Sequence, residues 1–351
     1  MLKMPTSELK SIVGKLNKIK PSSFLEITEY WHIIAVDGFV TFTAYDGNNF
    51  LSITKECDGS LDTIVKADQL GKLISKTTVK EMTLNEKKDY LEVKGNGTYK
   101  AVSVNEQYPE YSNELPEELP EADVLSSKVF KSILSVNKTA LPTGEYLESL
   151  PDIYYLDQKQ AITTNGVMVC FNPVEGTENP SFITPEMLEL ICCIDDKELY
   201  FCELNDGENY YIVTDTIEIY GKSHMYSDEF PDTGIFKDLK PTEIAETSKS
   251  EIIGAIDRLV SFQSKYEENR VTLFVDGSTM QIFTENESSE TIKLENTIEL
   301  SYEVKLSGIY FRSILSSLAS DAVKIGFGAE SIITIEAEDG TKNILATVLE
   351  D

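Results

Sequence analysis

The sequence predicts an α+β protein made of three copies of one unit, each pairing helices with antiparallel sheet. Three observations carry that expectation. Two proline- and acid-rich stretches, Gln107–Asp123 and Asp228–Glu243, divide the 351 residues into three pieces of ordinary domain size. Both contain an aromatic-Pro-acid triplet, Tyr108-Pro109-Glu110 and Phe230-Pro231-Asp232. Each piece then shows the same order: an amphipathic helix, a β-rich run, a second helix and closing hairpin-like strands. Strands in runs joined by short turns imply antiparallel sheets, and no Gly-rich phosphate loop follows any strand. The predicted domains are 1–118, 119–241 and 242–351.

The first helix of the first piece lies in SELKSIVGKLNKIK. Leu9, Ile12, Val13, Leu16 and Ile19 fall at helical spacing there, with Ser7 placed to cap. Its second helix is KADQLGKLISKT. In the second piece, SSKVFKSILSVNK brings Phe130, Ile133 and Leu134 together, and TPEMLELICCID follows as the second helix. In the third, Ile252, Ile253, Ile256, Leu259 and Val260 form the stripe, and SGIYFRSILSSLASD is the second helix. Between them, FVTFTAYDGNNFLSI, DIYYLDQKQAITTNGVMVCF and RVTLFVDGSTMQIFTENES alternate in the strand period and break at turn residues.

Charge excludes some functions and sharpens others. Sixty acids oppose 31 bases, a formal net charge of −29. Such a chain cannot coat nucleic acid with its whole surface. Yet five of the six helical segments carry more bases than acids, and only 185–197 is acidic. Lysine on a solvated helix face is ordinary, but glutamate is an equally good helix former and abundant here. Helices selectively rich in lysine suit a shared anionic partner read without regard to base sequence. No apolar run approaches the ~20 residues of a membrane span, and MLKMPTSELK lacks a signal-peptide core, so a cytoplasmic protein is expected. The five cysteines have no framework spacing and read as reduced, mostly buried thiols. His32 and His224 fit no metal-ligand spacing, no calcium loop is present, and no catalytic constellation or cofactor site stands out.

These segments in this order resemble the bacterial-type sliding clamp, the beta subunit of DNA polymerase III. TAYDGNNFLSI is similar to the family's strand-turn around a conserved Asp, and TIVKADQLGKLISKTTVKEMTL to the segment that follows it. DYLEVKGNGTYKAVSVNEQYPEYS looks like the family stretch ending in Asp-Phe-Pro, with Tyr108 in the phenylalanine place. ITTNGVMVCF stands where the family has an Asp-Gly-His-Arg-Leu turn, and IIGAIDRLVSFQSKYEENRVTLFV resembles the third-domain helix and strand. The resemblance covers essentially the whole chain. It implies three DNA-clamp domains with inner helices and outer sheets, closed by a head-to-tail homodimer into a ring on double-stranded DNA. Such a ring is a processivity factor without enzymatic activity, serving a DNA polymerase and a clamp loader through short linear peptides.

Two sets of residues follow. Lys10, Lys15, Lys18, Lys20, Lys72, Lys76, Lys128, Lys131, Lys138, Arg258 and Arg312 are the candidate DNA contacts; Lys20 stands at a DNA-contacting arginine of the family. The resemblance places a partner-peptide pocket at Leu150, Thr164, Gly166, Val167, Met168, Val169, Pro231, Ile235, Phe236, Leu345, Ala346, Thr347 and Val348. The family's histidine and arginine are missing from Asn165-Gly166-Val167-Met168-Val169, and its terminal Met-Pro-x-Arg-Leu has become Leu345-Ala346-Thr347-Val348-Leu349, followed by Glu350-Asp351. That divergence would suit a bacteriophage-encoded clamp acting in a host cytoplasm. The alternatives are an acidic repeat protein that serves only as a protein-interaction scaffold, and a hydrolase with a scattered carboxylate site.

Overall fold

The computed structural model describes residues 1–143, 150–223, 230–262, 269–329 and 331–348. His224, the start of the second proline-rich stretch, and residues 349–351 lie outside the described residues. The first repeat runs β1 (Leu2–Pro5), α1 (Thr6–Leu16), β2 (Tyr30–Val36), β3 (Phe39–Tyr45), β4 (Phe50–Glu56), β5 (Asp58–Gly59), β6 (Leu61–Lys66), α2 (Ala67–Lys76), β7 (Glu81–Glu86), β8 (Tyr90–Lys94) and β9 (Thr98–Val104). The second runs β10 (Asp123–Ser126), α3 (Ser127–Val136), β11 (Tyr154–Leu156), β12 (Gln160–Thr164), β13 (Met168–Pro173), β14 (Ser181–Ile183), α4 (Pro185–Ile191), β15 (Glu198–Leu204), β16 (Asn209–Val213) and β17 (Ile217–Lys222). A single-turn helix, α5 (Gly234–Lys237), precedes the third. That repeat runs β18 (Glu243–Ser248), α6 (Lys249–Val260), β19 (Arg270–Asp276), β20 (Thr279–Thr284), β21 (Ser289–Lys293), β22 (Tyr302–Ser307), α7 (Gly308–Ser317), β23 (Ala322–Ala329), β24 (Ile332–Ala337) and β25 (Lys342–Ala346).

Each repeat therefore opens with a strand, not with the helix expected from sequence. The strand explains a second difference. Ser7 does not cap α1; the N-cap is Pro5, and no side chain caps it. Instead the Thr6 N–H donates to the Lys80 carbonyl at 2.9 Å, carrying the β1–β7 ladder into the helix. The same device recurs where Ser127 N–H meets Lys197 O, Lys249 N–H meets Asp321 O and Gly308 N–H meets Asn269 O. In each case the carbonyl of the residue just before a strand takes one donor that a helix start leaves without an intrahelical partner. Side-chain caps are added at Thr184, Ser248 and Ser307.

Two compact units result: 1–130 with 184–225, and 131–183 with 226–351, so the second repeat contributes to both. In the first unit, β17 pairs antiparallel with β4 and joins strands of the first and second repeats in one sheet. In the second, β13 pairs with β25 and does the same for the second and third repeats. The third repeat also holds a separate four-stranded sheet, β21-β20-β19-β22.

Helix stripes pack on these sheets largely as their spacing predicts. Leu9, Ile12, Val13, Leu16 and Ile19 are all buried, as are Phe130 and Ile133, with Leu134 half-buried. Ile252, Ile256 and Leu259 join Phe311, Ile314 and Leu315 in the core of the second unit, and Ile253 and Val260 pack at its margin. The stretch after Gln107 is not the free linker its acidity suggests: Tyr108 is buried beside Tyr30 and Ile64, and Tyr111 and Leu115 pack on Phe50, Tyr211 and Tyr220. Its rings remove enough apolar surface from water to hold the acidic chain down. The five cysteines are all free; Cys170 and Cys202 are buried and the other three half-buried, fewer buried than expected. Burial pushes the Cys170 thiol up to about 12, which leaves it an inert core group.

Candidate nucleic-acid interface and peptide pocket

Burying one stripe of α1 and α2 turns their remaining faces to solvent. Lys10, Lys18 and Lys20 are exposed on α1 and the turn after it, and Lys72 and Lys76 on α2. The two helices lie side by side because Gly71 has no side chain: a Cβ there would meet the Trp31 ring at 3.0 Å and Val13 at 3.6 Å. Lys10, Lys18 and Lys76 have no carboxylate partner among the described residues, whereas Lys72 pairs with Asp68 at 2.7 Å along its own helix. Lys20 donates to the Asn17 carbonyl at 3.0 Å. Lys128, Lys131 and Lys138, on α3 and the turn beyond it, are likewise exposed and without a carboxylate partner among the described residues.

Three of the candidate cations are committed elsewhere. Lys15 donates to the Cys193 carbonyl and to Asp195, each at 2.5 Å. It closes the end of α4, where the helix dipole and an acid both favour a cation. Arg258 grips Glu290 through two parallel bonds of 2.7 and 2.6 Å. Arg312 grips Asp257 at 2.5 and 3.1 Å. These forks hold the Glu290 and Asp257 carboxyls below their ordinary values, chiefly by the hydrogen bonds from the arginines. At the surface each arginine is neutralised by a fixed carboxylate, whereas Lys10, Lys18 and Lys76 offer their charge to solvent. The acidic helix α4 adds Glu186 and Glu189 to a cleft of about 210 Å³ shared with Lys18 and Lys20, so the cationic face is uneven there.

The second candidate site lies on one face of the β13–β25 junction. A cavity of about 270 Å³ is lined by Leu150, Thr164, Gly166, Val167, Met168, Val169, Pro231, Asp232, Thr233, Phe236, Ile332, Ile344 and Ala346. Nine of the thirteen residues expected from sequence are thus brought together. The other four depart for reasons of local geometry. Leu345 points to the opposite face of β25 and is fully buried in the core, while its neighbours Ile344 and Ala346 line the cavity. Thr347 and Val348 have left the strand; their N–H groups donate to Ser331 O and Lys305 O. Ile235 is 72% exposed and turned away on α5. Ile332, Ile344, Asp232 and Thr233 were missed; strand alternation from Ala346 was the signal that could have found Ile344.

The floor of the cavity is a hydrogen-bonded turn. Gly166 has φ +82°, and the buried Asn165 side chain accepts from both Val167 N–H and Met168 N–H at 3.0 Å. Thr164 Oγ1 donates to the Met168 carbonyl at 2.9 Å, and Ala346 N–H to the Val167 carbonyl at 2.9 Å. Beside it, Ile162, Val169, Phe171 and Ile344 form an apolar cluster covered by Phe230 and Phe236. Asp232 is the one charged residue in the lining, and its carboxylate accepts from Gly234 N–H at 2.9 Å.

Elsewhere, His32 contacts Asp62 at 3.0 Å in an open polar groove of the first unit. Among the described residues no cluster of three or more metal-ligating groups forms, and no helix is long and apolar enough to cross a membrane.

No family model matches the sequence, and no curated protein matches it. Solved structures match it along its whole length. The DNA polymerase sliding clamp of Bacillus subtilis superposes with a TM-score of 0.86 at 15% identity, over 100% of this chain and 99% of that one. The DNA polymerase III beta subunit of Thermotoga maritima gives 0.85 at 14% identity, over 100% and 99%. A Helicobacter pylori beta clamp bound to a DNA ligase peptide gives 0.82 at 13% identity, over 99% of each chain. The chain has the fold of the bacterial beta sliding clamp.

Proposed function

We propose that this chain is a DNA sliding clamp: a homodimeric ring that encircles duplex DNA, tethers a replicative DNA polymerase and catalyses nothing itself. Its three clamp domains are 1–118, 119–241 and 242–351. The observation that carries the reading is the whole-length clamp fold combined with exposed lysines on α1, α2 and α3 that outnumber the acids of those helices, in a chain of net charge −29. Exposed lysines suit phosphate contacts that ignore base sequence, and such screened contacts let a ring slide. Acidic sheets and loops would repel the duplex and leave the helices as the attractive surface. The apolar cavity at the β13–β25 junction suits short peptides with large apolar anchors, carried by the polymerase and the clamp loader. Tethering then raises the polymerase's effective concentration at the primer end.

The test is topological. Loaded on nicked circular DNA, the protein should stay bound through gel filtration and be released when the circle is cut. Equal retention on circular and linear DNA would rule out a ring.

A further inference from the structure

The two repeat-joining sheet junctions share one register. Phe50 of β4 opposes Tyr220 of β17, and Val169 of β13 opposes Ile344 of β25. The strand turns agree: Tyr45 pairs Phe50 as Thr164 pairs Val169. The two aromatic-Pro-acid triplets then place Tyr111 and Thr233 at equivalent positions, each two residues after the proline. At the first junction the Tyr111 ring stacks on Tyr220, with centroids 5.6 Å apart and planes at 10°, and leans on Phe50 at 5.3 Å. Its hydroxyl donates to Glu218 at 2.7 Å. At the second junction Thr233, Val169 and Ile344 line the cavity of about 270 Å³. The place that the Tyr111 ring fills at the first junction borders a cavity at the second, where Phe230 and Phe236 cover Val169 and Ile344 only from the side.

We propose that Thr233 is the specificity-determining residue that keeps the peptide site open, and that the first junction is a latent copy of that site, occupied by Tyr111. A partner's aromatic or large aliphatic anchor would sit over Val169 and Ile344 as Tyr111 sits over Phe50 and Tyr220. The inference rests on the peptide-pocket reading above. Its physical basis is competition within one chain: a side chain on the connector is always at high local concentration and excludes any external anchor of similar affinity. Threonine at 233 is too short to reach across the cavity, so that junction alone is left to an outside ligand. Asp232 at its edge favours an anchor flanked by neutral or basic residues over acidic ones.

The probe is a fluorescein-labelled hexapeptide carrying one leucine and one phenylalanine, titrated by anisotropy for affinity and stoichiometry. The native chain should bind one probe. Thr233→Tyr should weaken that binding roughly tenfold or more. Tyr111→Ala should add a second probe site per chain, and the double variant Thr233→Tyr with Tyr111→Ala should return to one. Unaltered binding by Thr233→Tyr, or a folded Tyr111→Ala chain that still binds a single probe, overturns the proposal. If Tyr111→Ala does not fold, as judged by its melting curve, Thr233→Tyr decides alone. A native chain that binds no probe overturns the pocket reading itself and this proposal with it, an outcome distinct from the other two.

Discussion

At the scale of single residues, the cavity depends on groups that never touch a ligand. Asn165 is 2% exposed, and its carbonyl oxygen satisfies two backbone donors of the turn that forms the cavity floor. Asn165→Ala should cost about 1–3 kcal/mol, the usual penalty for stranding buried donors. It should also weaken peptide binding more than the stability loss explains, because the floor loses its shape. Urea midpoints and probe titration on the same variant check this; a stable variant with native affinity would show that the turn is held by its ladder bonds alone. This residue also shows what the sequence could tell. Asn-Gly between two β-rich runs reads directly as a turn, and so it is. The facing of residues 345–348 escaped because motif matching supplies positions in the chain but not strand parity. A shift of one residue exchanges core for cavity, and that shift separates Leu345 from Ile344.

At the scale of elements, apolar periodicity made the helices legible, whereas the strand before each helix escaped. Leu2–Pro5, Asp123–Ser126 and Glu243–Ser248 are only four to six residues long, too short for alternation to stand out from noise. Charge was legible only as a total. Lys15 and Lys10 look alike in sequence, yet Lys15 holds the end of α4 through Cys193 and Asp195, a long-range interaction that no local pattern reports. The charge test therefore belongs to Lys10, Lys18 and Lys20. Reversing all three to Glu should shorten DNA residence and flatten its salt dependence, by about one unit of slope for each phosphate that is no longer neutralised, with native melting. Lys15→Met should act the other way, lowering the melting temperature by opening the end of α4 while changing DNA residence little. If Lys15→Met alone reproduced the DNA defect of the triple variant, the assignment of α1's solvent face would be wrong.

At the scale of the whole molecule, the repeat determines how copies should join. Two junctions are seen, β4 with β17 and β13 with β25, each pairing the fourth strand of one repeat with the last strand of another. Two strands of the same kinds are left over: β21 of the third repeat, at the edge of its sheet, and β9 of the first. β9 meets β6 only at Ser103 and Val104, and the Val102 N–H donates to the Gln69 side chain at 3.0 Å, so Thr98–Ala101 has an open edge, with Tyr99 exposed upon it. An unpaired strand edge is a template for another chain. Unlike edges meeting head to tail close into a ring when the rotation allows. The register follows from the observed junctions. Phe283 pairs Ser289 as Tyr45 pairs Phe50, and Lys94 pairs Thr98 as Val213 pairs Glu218. Because Phe50 opposes Tyr220, Ser289 of one copy should oppose Lys100 of the next. Directly opposed residues in an antiparallel pair lie within disulfide reach. Ser289→Cys combined with Lys100→Cys should therefore give, on mild oxidation, a covalent dimer that resists dilution and remains on closed circular DNA. Either substitution alone should not. Moving the second cysteine one residue, to Tyr99, turns its side chain to the other face of the sheet and should abolish the cross-link. Efficient cross-linking by the shifted pair, or none by the opposed pair in a chain that is dimeric by sedimentation, would place the subunit contact on other strands and break the equivalence of the three junctions.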